Sequence, residues 1–220
     1  MKKRSFTSLI GFATVCLLML AGSYHHSQAT TAPSRDAPSL RYRIEAGKSR
    51  FIVQVFRSGI LKMFAHDHTI QIRDFSGEAL VTPGSLSPAS LQLAIRADSL
   101  AVTDKVSDSD RREIEATMRN EVLETSRFPE IVFKSDRTES VKNGEGNYTV
   151  KIWGGLALHG VTKEIHVVAR IDFGDNIMRA TGSFAIKQTD YKITPVSVAG
   201  GTVKVKDEIK FTFDITAIRQ

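Results

Sequence analysis

An all-β domain with one short helix, arranged as an antiparallel barrel or sandwich, is the fold class the sequence predicts. Three observations lead there. Roughly eight or more stretches alternate apolar and polar residues with a period of two, as strands with two different faces do. Turn signals separate them at even spacing, and nothing resembles the strand–helix–strand alternation that builds parallel sheets. Only Asp108–Leu123 carries apolar residues (Ile114, Met118, Val122) at helical spacing.

The N-terminus is expected to stand apart from this domain. Lys2, Lys3 and Arg4 precede an apolar run, Leu9–Gly22, and Ser27-Gln28-Ala29 supplies small residues where a signal peptidase cuts. Residues 1–29 therefore read as a secretory signal peptide cleaved near Ala29, with an uncleaved anchor as the alternative. The run is short beside the roughly 20 residues that span a bilayer. Three of the 30 Lys+Arg and none of the 24 Asp+Glu lie in this leader, so its removal lowers the net charge from +6 to +3. That mild balance, with no Lys/Arg-rich run, argues against a nucleic-acid partner. The single cysteine, Cys16, leaves with the leader, so the exported chain depends on a core rather than on disulfides. Residues 30–39, TTAPSRDAPS, have the composition of a flexible linker, and residues 40–220 form the domain.

Taken in order, Arg50–Arg57 is apolar on both faces, with Phe51, Val53 and Val55 on one and Ile52 and Phe56 on the other, as expected where one face meets a ligand or a second layer. Thr69–Arg73 and Glu78–Val81 are short strands, Ser85–Pro88 a turn, and Ser90–Leu100 a strand with Leu91, Leu93, Ile95 and Ala97 inward. In the helix, Asp110 followed by Glu113 has the form of a capping box, and Pro129 blocks continuation. Strands resume at Glu130–Lys134, Asn147–Leu158, Lys163–Phe173, Ile177–Gln188 and Glu208–Ala217, with NGEGN at 143–147 a turn. The clearest hairpin folds back at His159–Gly160, where Gly160 can take the positive φ of a tight turn. In the last strand Ile209, Phe211, Phe213 and Ile215 stripe one face.

Four segments in order, FPEIVFKS (128–135), GLALHGVTK (155–163), GSFAIKQTDYKI (182–193) and VKVKDEIKFTF (203–213), resemble the YceI-like family of exported lipid-binding proteins. The resemblance covers about residues 42–217. It implies a lipocalin-like, extended antiparallel β-barrel that holds a long isoprenoid chain in an apolar tunnel, a periplasmic or secreted address, and no enzymatic activity. One departure marks a variant branch: many members carry a His shortly before the Gly of the first strand, whereas this chain has Arg57-Ser58-Gly59 and then Ala65-His66-Asp67-His68-Thr69.

Ligand-contact candidates follow from the double-faced strands and from this departure. Phe51, Val53, Val55, Phe56, Phe64, Phe133, Phe184, Phe211 and Phe213 are candidate tunnel residues, competing with roles in ordinary core or on the outer face. Arg57 suits an anionic or carbonyl head group, or is a solvated strand end. His66 and His68, two apart, would share a face of an extended strand, as two ligands of one metal or as polar contacts to a head group do; a third metal ligand would come from His159, His166 or an acid. The competing reading makes them loop residues bonding locally. His159 reads as a turn residue, Asp190–Tyr191 and Gly200–Gly201 as turn and bulge features, with the Tyr191 hydroxyl a further contact at the barrel mouth.

No Gly-x-Ser-x-Gly elbow, HExxH, P-loop or GxGxxG is present, and no catalytic residue is named. The expected function is binding or carriage of a long apolar ligand in the barrel interior: an isoprenoid quinone, an isoprenoid alcohol or phosphate, or a fatty acid. The expected partners are this lipophilic molecule and, transiently, a membrane or membrane protein. Two alternatives stand: an interaction module whose barrel is packed with its own side chains, and a metal or redox-cofactor site at His66 and His68.

Overall fold

The structure, a computed structural model, describes residues 39–58, 67–82, 84–198 and 203–220. The leader with Cys16, almost all of the linker, and Phe64, His66 and Gly200–Gly201 lie outside the described residues. Twelve strands make up the sheet: β1 (Leu40–Ile44), β2 (Arg50–Ser58), β3 (His68–Ile72), β4 (Phe75–Thr82), β5 (Ser85–Arg96), β6 (Leu100–Val102), β7 (Glu130–Gly144), β8 (Asn147–Leu158), β9 (Val161–Phe173), β10 (Ile177–Lys187), β11 (Ser197–Val198) and β12 (Val203–Arg219).

Their pairing resolves into a simpler object. Every pair is antiparallel, and β12 pairs with β10 along one edge and with both β2 and β1 along the other. β1 and β2 therefore run in one direction along β12, β3 and β4 run in one direction beside them, and β5 and β6 do the same beside those. Each such couple is one long strand bent in the middle. The result is a closed, eight-stranded antiparallel barrel with one short helix. Serine hydroxyls replace ladder bonds at two bends: Ser49 donates to the Glu45 carbonyl (2.7 Å) and accepts from the Thr216 N–H (3.0 Å), and Ser99 accepts from the Asp74 N–H (3.1 Å).

The period of two decides which side chains enter the barrel. Val150 and Ile152 of β8, Ile165, Val167, Ala169 and Ile171 of β9, and the Ile209–Ile215 stripe of β12 all face the interior, as their alternation predicts. On the outer face Trp153 is covered by Arg137 (3.9 Å to the ring centroid) and Lys151 (4.7 Å). Closure of the sheet leaves no long unpaired edge, which suits a chain with this many strands.

The two ends of the barrel differ. At one, β4 ends where β5 begins and the short connections 145–146 and 174–176 join strands; at the other, β2 and β10 end and 103–129 and 159–160 lie. The helix α1 (Asp108–Thr117) belongs to this second end, followed by a wider turn at Met118–Val122. Ser107 is its N-cap, accepting the Asp110 N–H at 3.1 Å, so the box expected at Asp110 and Glu113 begins three residues earlier. Three other boundaries also move. Ser85–Pro88, expected as a turn, opens β5, because the Ser87 hydroxyl donates to the Thr138 carbonyl (2.8 Å) and the Ala89 N–H donates to the Thr138 hydroxyl (3.0 Å), holding this stretch extended where Pro88 has no N–H to give. β7 continues to Gly144 because its polar second half still pairs with β8, and β12 extends at both ends against β2, β11 and β1.

Candidate ligand-binding site

The barrel is hollow. The space open to the centre of a water-sized sphere is about 230 Å³, where a single water needs only about 10–15 Å³ on that measure. Among the described residues forty line it; of these only Ser90, Thr138 and Gln188 are polar and none is charged. Two of those three already spend hydrogen bonds on the backbone: the Thr138 hydroxyl donates to the Leu86 carbonyl (2.9 Å) and the Gln188 amide to the Lys206 carbonyl (2.9 Å). What this interior offers a guest is dispersion and the removal of apolar surface from water, about 25 cal/mol for each Å². A barrel filled by its own side chains, one of the expected alternatives, is not what these residues build.

Seven of the expected contact residues come together in this wall: Phe51, Val53 and Val55 of β2, Phe133 of β7, Phe184 of β10, and Phe211 and Phe213 of β12. The rings of Phe51, Phe211 and Phe213 form one cluster with those of Phe75 and Phe184. Phe211 stacks on Phe184 at 4.7 Å and 4° between planes, while Phe51 meets Phe75, Phe211 and Phe213 edge to face at about 6 Å. Gly182 makes room for it, since a Cβ there would lie 2.6 Å from the Phe213 ring and 2.6 Å from the Val168 carbonyl. Met118, Val122 and Leu123, from the turn after α1, complete the wall at the wide end. Toward the short-loop end Tyr42, Tyr148 and Phe173 stand edge to face (5.6 and 6.0 Å) and line a second hollow, which shares Val81 and Leu86 with the first.

The polar candidates have separate fates. Arg57 lies at the wide end, its N–H donating to Asp67 Oδ1 (3.0 Å) with its guanidinium 3.9 Å from the same oxygen. His68 bonds through Nδ1 to Asp104 at 2.9 Å. Tyr191 is 1 % exposed, and its hydroxyl has no hydrogen-bond partner among the described residues. Burial, and then the neighbouring Asp190, push its phenol above the ordinary tyrosine value. It packs in the core beside the cavity rather than in its wall. His159 is a turn residue as expected, with φ of 50° before Gly160 at 72°, the both-positive geometry of a two-residue hairpin turn. Yet its ring is docked: Nδ1 lies 3.2 Å from the Tyr191 carbonyl, Phe128 packs 4.5 Å away, and a Glu124 oxygen lies 3.4 Å from Nε2. His166 points outward from β9 and is exposed. Among the described residues no group of three His, Cys, Asp or Glu side chains is placed to hold a metal.

Three contributors escape a reading of the sequence. Gln188 could have been found by extending the inward period of β10 past Phe184 and Ile186. Asp104 could not, because it meets His68 across 36 residues. The turn after α1 looks like an ordinary amphipathic helix end until the barrel is closed.

A family model for the YceI-like domain matches residues 42–217. The chain belongs to the YceI-like family. Solved YceI-like folds share its barrel at low sequence identity. BcnA of Burkholderia cenocepacia aligns with a TM-score of 0.60 at 15% identity, over 79% of this chain and 98% of its own. A polyisoprenoid binding domain from Saccharophagus degradans, implicated in plant cell wall breakdown, aligns at 0.57 and 14%, over 82% and 99%. A mutant of the Campylobacter jejuni YceI protein aligns at 0.54 and 18%, over 69% and 84%. No curated protein matches the chain by sequence. These likenesses concern the fold.

Proposed function

We propose that this YceI-like protein is a non-enzymatic carrier for one long apolar molecule, an isoprenoid or fatty-acyl lipid, and that it works in the periplasm after loss of the 1–29 leader. The observation that carries this reading is the cavity wall, where 37 of the 40 described residues are apolar and none is charged. Such a wall rewards chain length and cannot stabilise the charge that develops in most reactions. The polyisoprenoid-binding description of the Saccharophagus degradans relative supports the same ligand class. Membrane contact is the natural source and destination of so apolar a cargo.

The test is a length series. Delipidated protein is titrated with isoprenoid alcohols of increasing chain length by calorimetry. Each added unit buries about five carbons, so affinity rises about tenfold per unit after ordering costs, until the tunnel is full. Affinity that does not depend on length would remove the carrier reading.

A further inference from the structure

His68 stands at the wide end beside the apolar wall, not itself one of the lining residues, and its surroundings specify what it can hold. His68 is the next position along β3 before Ile70 and Ile72, both cavity-lining, and it faces Val55 across the β2–β3 ladder. By the period of two it belongs to the inward stripe. Its side chain is 26 % exposed and that of Asp104 is 16 %.

The imidazole is held in one orientation by a relay of contacts from the helix. Arg111 of α1 donates to the Val102 carbonyl and to the Asp104 carbonyl (3.0 Å), pinning the segment after β6. Glu115, one turn later, accepts the Val102 N–H at 3.0 Å. The Asp104 carboxylate then accepts the Thr69 N–H (2.9 and 3.1 Å) and meets His68 Nδ1. A carboxylate only accepts, so in the neutral ring the bond to Asp104 places the proton on Nδ1 and leaves Nε2 its lone pair. Three arginines near this end are all engaged: the Arg111 guanidinium is committed to backbone carbonyls, Arg119 lies 3.5 Å from Glu115, and Arg57 lies 3.9 Å from Asp67. An anionic head group gains no free cation from these residues.

We propose that the His68–Asp104 pair is a head-group site that selects a neutral hydroxyl, that of an isoprenoid or fatty alcohol or of a quinol, over carbonyl, carboxylate and phosphate ends. This rests on the tunnel reading above. His68 Nε2 accepts the hydroxyl proton in a hydrogen bond, Asp104 and Arg111 act as positioning residues, and no proton or electron is transferred.

The experiment compares three ligands of equal chain, a long prenol, the matching prenyl methyl ketone and a headless polyprene, on the full mature domain. The wild type prefers prenol to ketone by about threefold to tenfold, the range of one net hydrogen bond. In His68→Ala that ratio falls to about one. Asp104→Asn turns the ring so that Nε2 carries the proton, and the preference moves toward the ketone; His68→Gln, which restores an acceptor at the Nε2 position, returns part of the prenol preference. An unchanged prenol-to-ketone ratio in His68→Ala, or tighter binding of the prenyl phosphate than of the prenol by the wild type, overturns the site. Failure of the headless polyprene to bind the wild type sinks the tunnel reading itself, which separates the two outcomes.

Discussion

Single side chains decide whether this interior stays apolar. Tyr191 is the instructive one, because its hydroxyl is buried with no partner among the described residues. Removing such a group relieves a desolvation cost, so Tyr191→Phe is expected to raise stability at neutral pH by about 1 kcal/mol in urea denaturation. A loss of stability would mean that the hydroxyl does have a partner. The same burial raises the phenol pKa. Folding then favours the protonated form: its contribution is complete below about pH 10, the unfolded value, and is lost as pH climbs through the higher folded one. Wild-type stability should therefore fall from pH 9 to pH 11 more steeply than that of Tyr191→Phe. Gly182 answers a different constraint, since its missing Cβ is where the Phe213 ring lies. Gly182→Val is expected to cost about 2–3 kcal/mol through overpacking and to narrow the tunnel, both read in one titration with a bound lipid probe.

Among the elements, the strands were legible and their ends were not. The alternation of Phe51, Val53 and Val55, and of Ile209 through Ile215, gave the cavity wall because a period of two is set by the backbone whatever the partner strand. The length of β7 was hidden because Asp136–Gly144 is polar and pairs through its backbone. The strand start at Ser85 was hidden because Ser-x-Ser-Pro is turn chemistry until Thr138, from another strand, supplies the missing partners. The Asp104–His68 bond joins elements whose separation no local pattern spans. α1 is the element with the least local support, with no buried residue of its own before Met118. Its Ser107 cap accordingly carries weight. Ser107→Ala should lower stability by about 1 kcal/mol and increase hydrogen exchange across 108–122 before the barrel strands exchange. Uniform exchange over helix and barrel would show the helix to be locked to the wall.

At the scale of the molecule, the cavity reaches toward the short-loop end, where Tyr42, Tyr148 and Phe173 line the second hollow. Ala169 lines the cavity toward that end and is 2 % exposed. Ala169→Trp should block the cavity toward that end: short chains keep wild-type affinity, long ones lose their length advantage, and the plateau in affinity moves to fewer isoprene units. A plateau that stays in place would put the chain elsewhere. The most direct test of the central claim is native mass spectrometry of the mature domain, exported to the periplasm and purified without detergent, followed by organic extraction. The account predicts a one-to-one adduct of a long isoprenoid or acyl lipid that leaves on extraction. A protein that runs at its bare mass, and stays there after incubation with isoprenoid alcohols and fatty acids, would contradict it.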